Sequence, residues 1–202
     1  MLVSTKNKQE IKTESFQAAA RVMQRCDALA LASLNPDHIE RTYLSTAHAQ
    51  ANKIVEGWIS EAQMESWQDS VGNVWGRYTC KETNAPVLII GSHLDSVVNA
   101  GKYDGILGVL LGIELGNFLA RHQIDLPFHL DVVGFCDEEG VRFGATLLGS
   151  QALAGKWQPE WTELTDERGV SLAEAMIEFG LDPLKAMDAK RDQESILGFL
   201  EV

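Results

Sequence analysis

Three short clusters in the sequence concentrate side chains able to bind a divalent cation and move a proton: His93-Leu94-Asp95, Asp104, and Glu138-Glu139. Imidazole nitrogen and carboxylate oxygen are the donors that borderline ions such as zinc prefer, and an ion held with open positions activates water for hydrolysis. Asp95, two residues beyond His93, falls on the same side of an extended chain and can hold the second imidazole N–H, fixing the tautomer. Each piece also has a bland reading. Asp104 can cap a helix, the paired glutamates can form a solvated loop, and a single histidine is more often a packed residue than a ligand.

Other reactive residues are weaker candidates. His38, His48, His122 and His129 lack a comparable acidic context, and His48 falls within a helical packing pattern. Cys136 precedes the glutamate pair but lies in an apolar strand with no histidine close behind it, which argues against a thiolate nucleophile. Gly101-Lys102-Tyr103-Asp104-Gly105 is glycine-rich ahead of a helix, yet it has neither P-loop spacing nor a dinucleotide fingerprint.

The elements that must position the three clusters are legible in the hydrophobic pattern. Apolar residues at helical spacing predict a first helix over Ser15–Leu34, broken by Asn35-Pro36-Asp37, and a second from about Arg41 to Ala62. Met64–Gln68 and Val74–Tyr78 predict a hairpin around the Asp69–Asn73 turn. Val87–Ile90, a helix from Gly105 and Leu130–Cys136 predict a strand-helix-strand unit of a parallel sheet, with the polar clusters following both strands at their carboxyl ends. Ser171–Phe179 reads as helix within a tail of short helical pieces, and Ile196–Val202 reads as a strand. The fold class expected is α/β: a mixed, mainly parallel sheet flanked by helices.

Composition narrows the partners. The 202 residues carry a net charge of −12, 45% hydrophobic and 23% charged residues. Such acidity disfavours nucleic acid and anionic membranes, both of which demand clustered Lys and Arg, and favours small molecules and cations. The odd set Cys26, Cys80 and Cys136 suits buried free thiols in a reducing, cytoplasmic setting. Met1–Lys8 has no apolar core of a signal peptide behind it, and Gly105–Ala120 is too short to span a bilayer.

Taken together, Gly91-Ser92-His93-Leu94-Asp95-Ser96-Val97, Gly101–Gly105 and Phe135-Cys136-Asp137-Glu138-Glu139-Gly140-Val141-Arg142-Phe143-Gly144 resemble the allantoate amidohydrolase and N-carbamoyl-L-amino-acid hydrolase family. That family belongs to a superfamily of dinuclear aminopeptidases, carboxypeptidases and aminoacylases, and the likeness runs from the Trp58 region to Gly155. The resemblance implies two divalent ions, zinc or manganese with cobalt or nickel as further candidates. His93 would bind one ion, Asp104 would bridge both, Glu139 would bind the other, Glu138 would be the general base and Asp95 would orient His93. Two further family histidines, one opening a His-Ile-Glu-Gln-Gly-Pro segment after a strand ending Leu-Glu-Val, have no counterpart before the final Leu200-Glu201-Val202. Gln63 stands where the family usually has glycine.

On this resemblance residues 1–202 are expected to form the N-terminal portion of the metal-binding catalytic domain. A lid and dimerisation domain, through which the whole protein would form a homodimer, and the C-terminal part of the catalytic domain are both missing from it. The reaction implied is hydrolysis of a linear ureido C–N bond, with allantoate, a purine catabolite, ahead of N-carbamoyl-L-amino acids (a β-ureidopropionase-like activity). Aminopeptidase or aminoacylase activity is a weaker alternative, and an inactive fragment or metal-binding module is the alternative of a different class.

Overall fold

The computed structural model describes residues 8–202. Met1–Asn7, part of the stretch without a signal-peptide core, lies outside the described residues. Helix α1 (Lys8–Ala30) turns Val22, Cys26 and Leu29 inward. Helix α2 (Thr46–Glu61) is capped by Ser45, whose Oγ accepts from the His48 N–H at 3.1 Å, and buries Ala47, Ala51, Val55 and Ile59 at helical spacing. The first helix therefore begins and ends earlier than its apolar pattern indicated. The second starts five residues after Arg41, because Leu44 adopts φ 55° and Ser45 is extended.

Strands β1 (Glu65–Gln68) and β2 (Val74–Tyr78) form the predicted hairpin. Its turn does more than reverse the chain. Asp69 accepts from the backbone of Val71 and Asn73, the Asn73 amide and the Trp75 indole, while Asn73 Oδ1 accepts from Cys136 N at 2.9 Å. The hairpin thus props the start of the loop that carries Glu138 and Glu139.

Strand β3 (Val87–His93), helix α3 (Ile106–Arg121) and strand β4 (His129–Phe135) make the strand-helix-strand unit. Helix α4 (Leu148–Leu153), helix α5 (Leu172–Phe179, closed by a Ser171/Glu174 capping box) and strand β5 (Ile196–Glu201) complete the chain, with short 3₁₀ turns between them. The sheet order is β1-β2-β4-β3-β5, with β4, β3 and β5 parallel and the hairpin antiparallel to β4. One sheet face packs on α1, α2 and α3 through Val74, Val132, Val109 and Ile113. Gly112 lets α3 lie close, since a Cβ there would meet Val132 Cγ1 at 2.8 Å. The opposite face holds Trp75, Ile89, Val133 and Phe135.

Register does the positioning. His93 pairs with Phe135, so β3 and β4 end level and release their polar loops at the same sheet edge. All three cysteines are buried free thiols, as expected. Among the described residues no helix is long and apolar enough to cross a membrane.

Candidate metal centre

His93, the last residue of β3, is 4% exposed. Its Nδ1 lies 2.9 Å from the Asp95 carbonyl oxygen. A carbonyl can only accept, so Nδ1 carries the proton, and in the neutral ring Nε2 keeps its lone pair for a ligand. Nε2 faces Glu138 Oε2 at 2.9 Å and Asp104 Oδ1 at 3.7 Å.

Asp95 meets the ring through a different atom from the one its spacing suggested. Its main-chain carbonyl, not its carboxylate, fixes the imidazole, and Oδ1 stands 3.7 Å from Nδ1. The carboxylate instead accepts from Glu138 N at 3.0 Å and Glu139 N at 3.1 Å. A side chain just past a strand end reaches whichever donors the neighbouring loop offers, and two backbone N–H groups are good partners for a buried anion. Asp95 is therefore the hub of the site: one residue orients the histidine and pins both glutamates. Burial raises its pKa, against the charge of His93 and the two N–H groups.

The glutamate loop is held from behind as well. Three consecutive N–H groups at the start of α4, from Leu147, Leu148 and Gly149, donate to the carbonyls of Glu138, Asp137 and Cys136. Asp104 does not cap α3, because Gly105 is the cap residue, and the Asp104 side chain is 52% exposed. Gly105 is required twice: its φ is 68°, and a Cβ would sit 2.6 Å from the His93 ring atoms. Only glycine lets the Asp104 loop lie on that imidazole.

His93, Asp104 and Glu139 each offer a ligand atom, and these atoms lie within 4.8 Å of one another. One buried nitrogen with its tautomer fixed and two carboxylates form a donor set that fits a divalent ion. Burial pushes the Glu139 pKa up; the charge of His93 opposes this, while Asp104, Glu138 and Asp95 add to it. Crowded like charge of this kind favours uptake of a cation.

Two residues escaped the sequence reading. Asp137, 1% exposed with φ 50°, has its pKa pushed far up by burial reinforced by the Asp95 charge, against the charge of Arg142 and the backbone N–H of Gly140. Glu201 reaches the site because β5 pairs with β3 at Gly91; burial and the Glu138 charge raise its pKa, and His93 opposes them. Only the parallel β3–β5 pairing reveals it. His48 and His129 serve packing and backbone acceptance, each Nδ1 taking an N–H from Leu44 or Cys80, and Cys136 Sγ turns to Val71 O.

Residues 73–192 match the family model of Peptidase family M28. An allantoate deiminase from Arabidopsis thaliana is 38% identical over 200 residues, 95% of this chain and 38% of its own length. An N-carbamoyl-L-amino acid amidohydrolase from Geobacillus stearothermophilus is 37% identical over 183 residues, 90% of this chain and 45% of its own. The crystal structure of AtUAH in complex with glyoxylate superposes with a TM-score of 0.82 at 30% identity, covering 90% of this chain and 44% of that one. The chain thus spans less than half the length of the relatives it matches. With that match across more than half of its residues, the chain belongs to Peptidase family M28, among homologues of the allantoate deiminases and N-carbamoyl-L-amino acid amidohydrolases.

Proposed function

We propose that this chain is the N-terminal, metal-binding portion of the catalytic domain of a hydrolase that cleaves a ureido C–N bond, with allantoate as the leading substrate. One observation carries the reading: His93, Asp104 and Glu139 converge within 4.8 Å, with Glu138 Oε2 2.9 Å from the histidine. The relatives named above supply the bond type. Allantoate leads because allantoate deiminases from Arabidopsis thaliana and Glycine max stand at 36–38% identity. N-carbamoyl-L-amino acids are the second reading, favoured by the Geobacillus relative at 37%.

In this reading His93, Asp104 and Glu139 would hold divalent ions such as zinc or manganese. A bound ion of this kind polarises a carbonyl and lowers the pKa of water. The chain's own residues do the rest. Glu138, fixed by Asp95 through its N–H, takes the proton of the attacking water as oxygen bonds to the carbamoyl carbon. It returns that proton to the departing nitrogen as the C–N bond breaks, and the carbamic acid formed decomposes to ammonia and carbon dioxide.

Ammonia release from allantoate and from N-carbamoyl amino acids, measured together with bound metal, tests the proposal. Glu138→Gln should keep its metal and lose about 10²- to 10⁴-fold in turnover; more than a few per cent of residual activity rules out the base assignment. A chain that binds metal but releases no ammonia from either compound is a metal-binding module, and one that binds no metal defeats the central claim.

A further inference from the structure

Outside the three clusters, the side chain most intimately tied to the candidate centre is Arg41, in the segment joining α1 to α2. It is 2% exposed, an unusual place for a guanidinium, and among the described residues its side chain donates to main-chain carbonyls rather than to a carboxylate. Its Nε donates to Leu94 O at 2.6 Å. Its backbone N–H donates to Ser96 Oγ at 2.9 Å, and its carbonyl accepts from Ser96 N at 2.9 Å. Three polar groups of one residue therefore grip the two residues that flank Asp95. The other end of the fork is anchored at the C-terminal end of α1 and just beyond it, where Nη1 donates to Leu29 O at 3.0 Å and Ala32 O at 2.8 Å.

We propose that Arg41 is a positioning residue for the metal centre: it sets the orientation of the Asp95 peptide from both sides and so aligns His93, Glu138 and Glu139 at once. The inference rests on the metal-centre reading above. Asp95 serves the site through its carbonyl, which holds His93 Nδ1, and its carboxylate, which holds the N–H groups of Glu138 and Glu139. Rotation of the chain at this one residue would misplace all three. On the opposite side Leu94 N donates to Phe135 O at 2.9 Å, so β4 fixes one edge of the segment and Arg41 the other. A planar fork with a fixed set of donors does this where a flexible ammonium does not, because its N–H directions are set by the plane. Desolvation lowers the Arg41 pKa to about 10, with the charge of Asp95 acting the opposite way. The group therefore remains a cation at neutral pH beside the buried carboxylate that organises the site.

A merely structural clamp on the end of α1 gives a different result from a strut for the site, and two variants of residues 1–202 separate them. Arg41→Lys keeps the charge and loses the fork. Cys26→Ala loosens α1 in the core and removes none of the hydrogen bonds that Leu94 and Ser96 make. Each is titrated with Co²⁺ under conditions where circular dichroism shows it folded, reading both the dissociation constant and the visible d–d spectrum. The expected result is a roughly 10- to 100-fold weaker Co²⁺ affinity and an altered spectrum for Arg41→Lys, the range usual for residues that orient ligands, with Cys26→Ala within about twofold of wild type. Equal losses in both variants, or an Arg41→Lys chain that binds like wild type, overturn the proposal. If Arg41→Lys does not fold, Ser96→Ala removes the Oγ that accepts from the Arg41 N–H and donates to Val97 O; weakened Co²⁺ binding supports the strut and unchanged binding overturns it. A wild-type chain that takes up no Co²⁺ defeats the metal centre itself, and the strut with it.

Discussion

Two buried aspartates lie on neighbouring segments of the same sheet, and they are stabilised in opposite ways. Asp131, in the middle of β4, is fully buried and meets side chains: Arg77 bidentately at 2.7 and 2.7 Å and Arg191 at 2.6 Å. Those guanidiniums lie in turn over Trp67 and Trp75. Asp95, just past the end of β3, is 1% exposed and accepts instead from backbone N–H groups of the loop that carries the candidate base and ligand. A carboxylate spanned by arginines mid-strand ties β2, β4 and the segment after Ala189 together. A carboxylate bonded to backbone at a strand end shapes a loop. The same residue type, equally buried, thus ties strands together in one place and shapes the loop of the candidate metal centre in the other.

The sharpest way to break this comparison is to neutralise each carboxylate in turn. Asp131→Asn leaves two guanidiniums facing an amide and should cost about 3 kcal/mol in urea unfolding, with the Co²⁺ affinity of the folded chain unchanged. Asp95→Asn should reverse the pattern, weakening Co²⁺ by roughly 10- to 100-fold for a loss of about 1 to 2 kcal/mol. Similar profiles for the two variants would show that the two carboxylates do not differ in role.

Mild acid should load the Asp95 side of the molecule through His48. Burial, with the charge of Arg41 behind it, lowers the His48 pKa from 6.5 to about 3. Below pH 6.5 the unfolded chain takes up a proton that the folded chain refuses, so stability falls with pH at about 1.4 kcal/mol per unit. From pH 7 to pH 5 the His48 share of the loss should reach about 2 kcal/mol; buried Asp137, with its raised pKa, acts the opposite way, so the share is read as the difference in urea midpoints between wild type and His48→Asn at each pH. His48→Asn retains an acceptor for Leu44 N and should abolish most of that slope. A slope that survives the substitution assigns the titration elsewhere.

Much of this was legible in the sequence, and the remainder was hidden for identifiable reasons. The hairpin, the β3-α3-β4 unit and the shared edge on which His93, Asp104, Glu138 and Glu139 meet follow from periodicity and from which residues come directly after each strand. Alternation gives the face on which Asp95 lies, yet it cannot say that its carbonyl rather than its carboxylate meets the ring. Arg41 was read as a helical residue because its partners lie 9, 12 and 53 positions away, and no local pattern records such distances. Asp137 and Glu201 were missed for the same reason: a buried loop conformation and a parallel strand pairing bring them to the site.

The smallest effect belongs to Gln63, and it serves as the control for the others. Helices α2 and α5 both end in the left-handed region, at Gln63 with φ 60° and at Gly180 with φ 92°. Glycine adopts that conformation without a Cβ clash, whereas a glutamine there carries the steric cost. Gln63 is exposed, its N–H bonds to Ser60 O at 3.0 Å, and among the described residues no hydrogen bond of its side chain offsets that cost. Gln63→Gly should therefore stabilise the chain by about 0.5 to 1 kcal/mol, after allowance for the greater freedom of glycine in the unfolded state. Its Co²⁺ affinity should match wild type, since the α2 end touches neither aspartate. A change in affinity here would mean that global stability alone moves metal binding, and the contrast between Asp95 and Asp131 would then need that correction before it could be read as a difference of role.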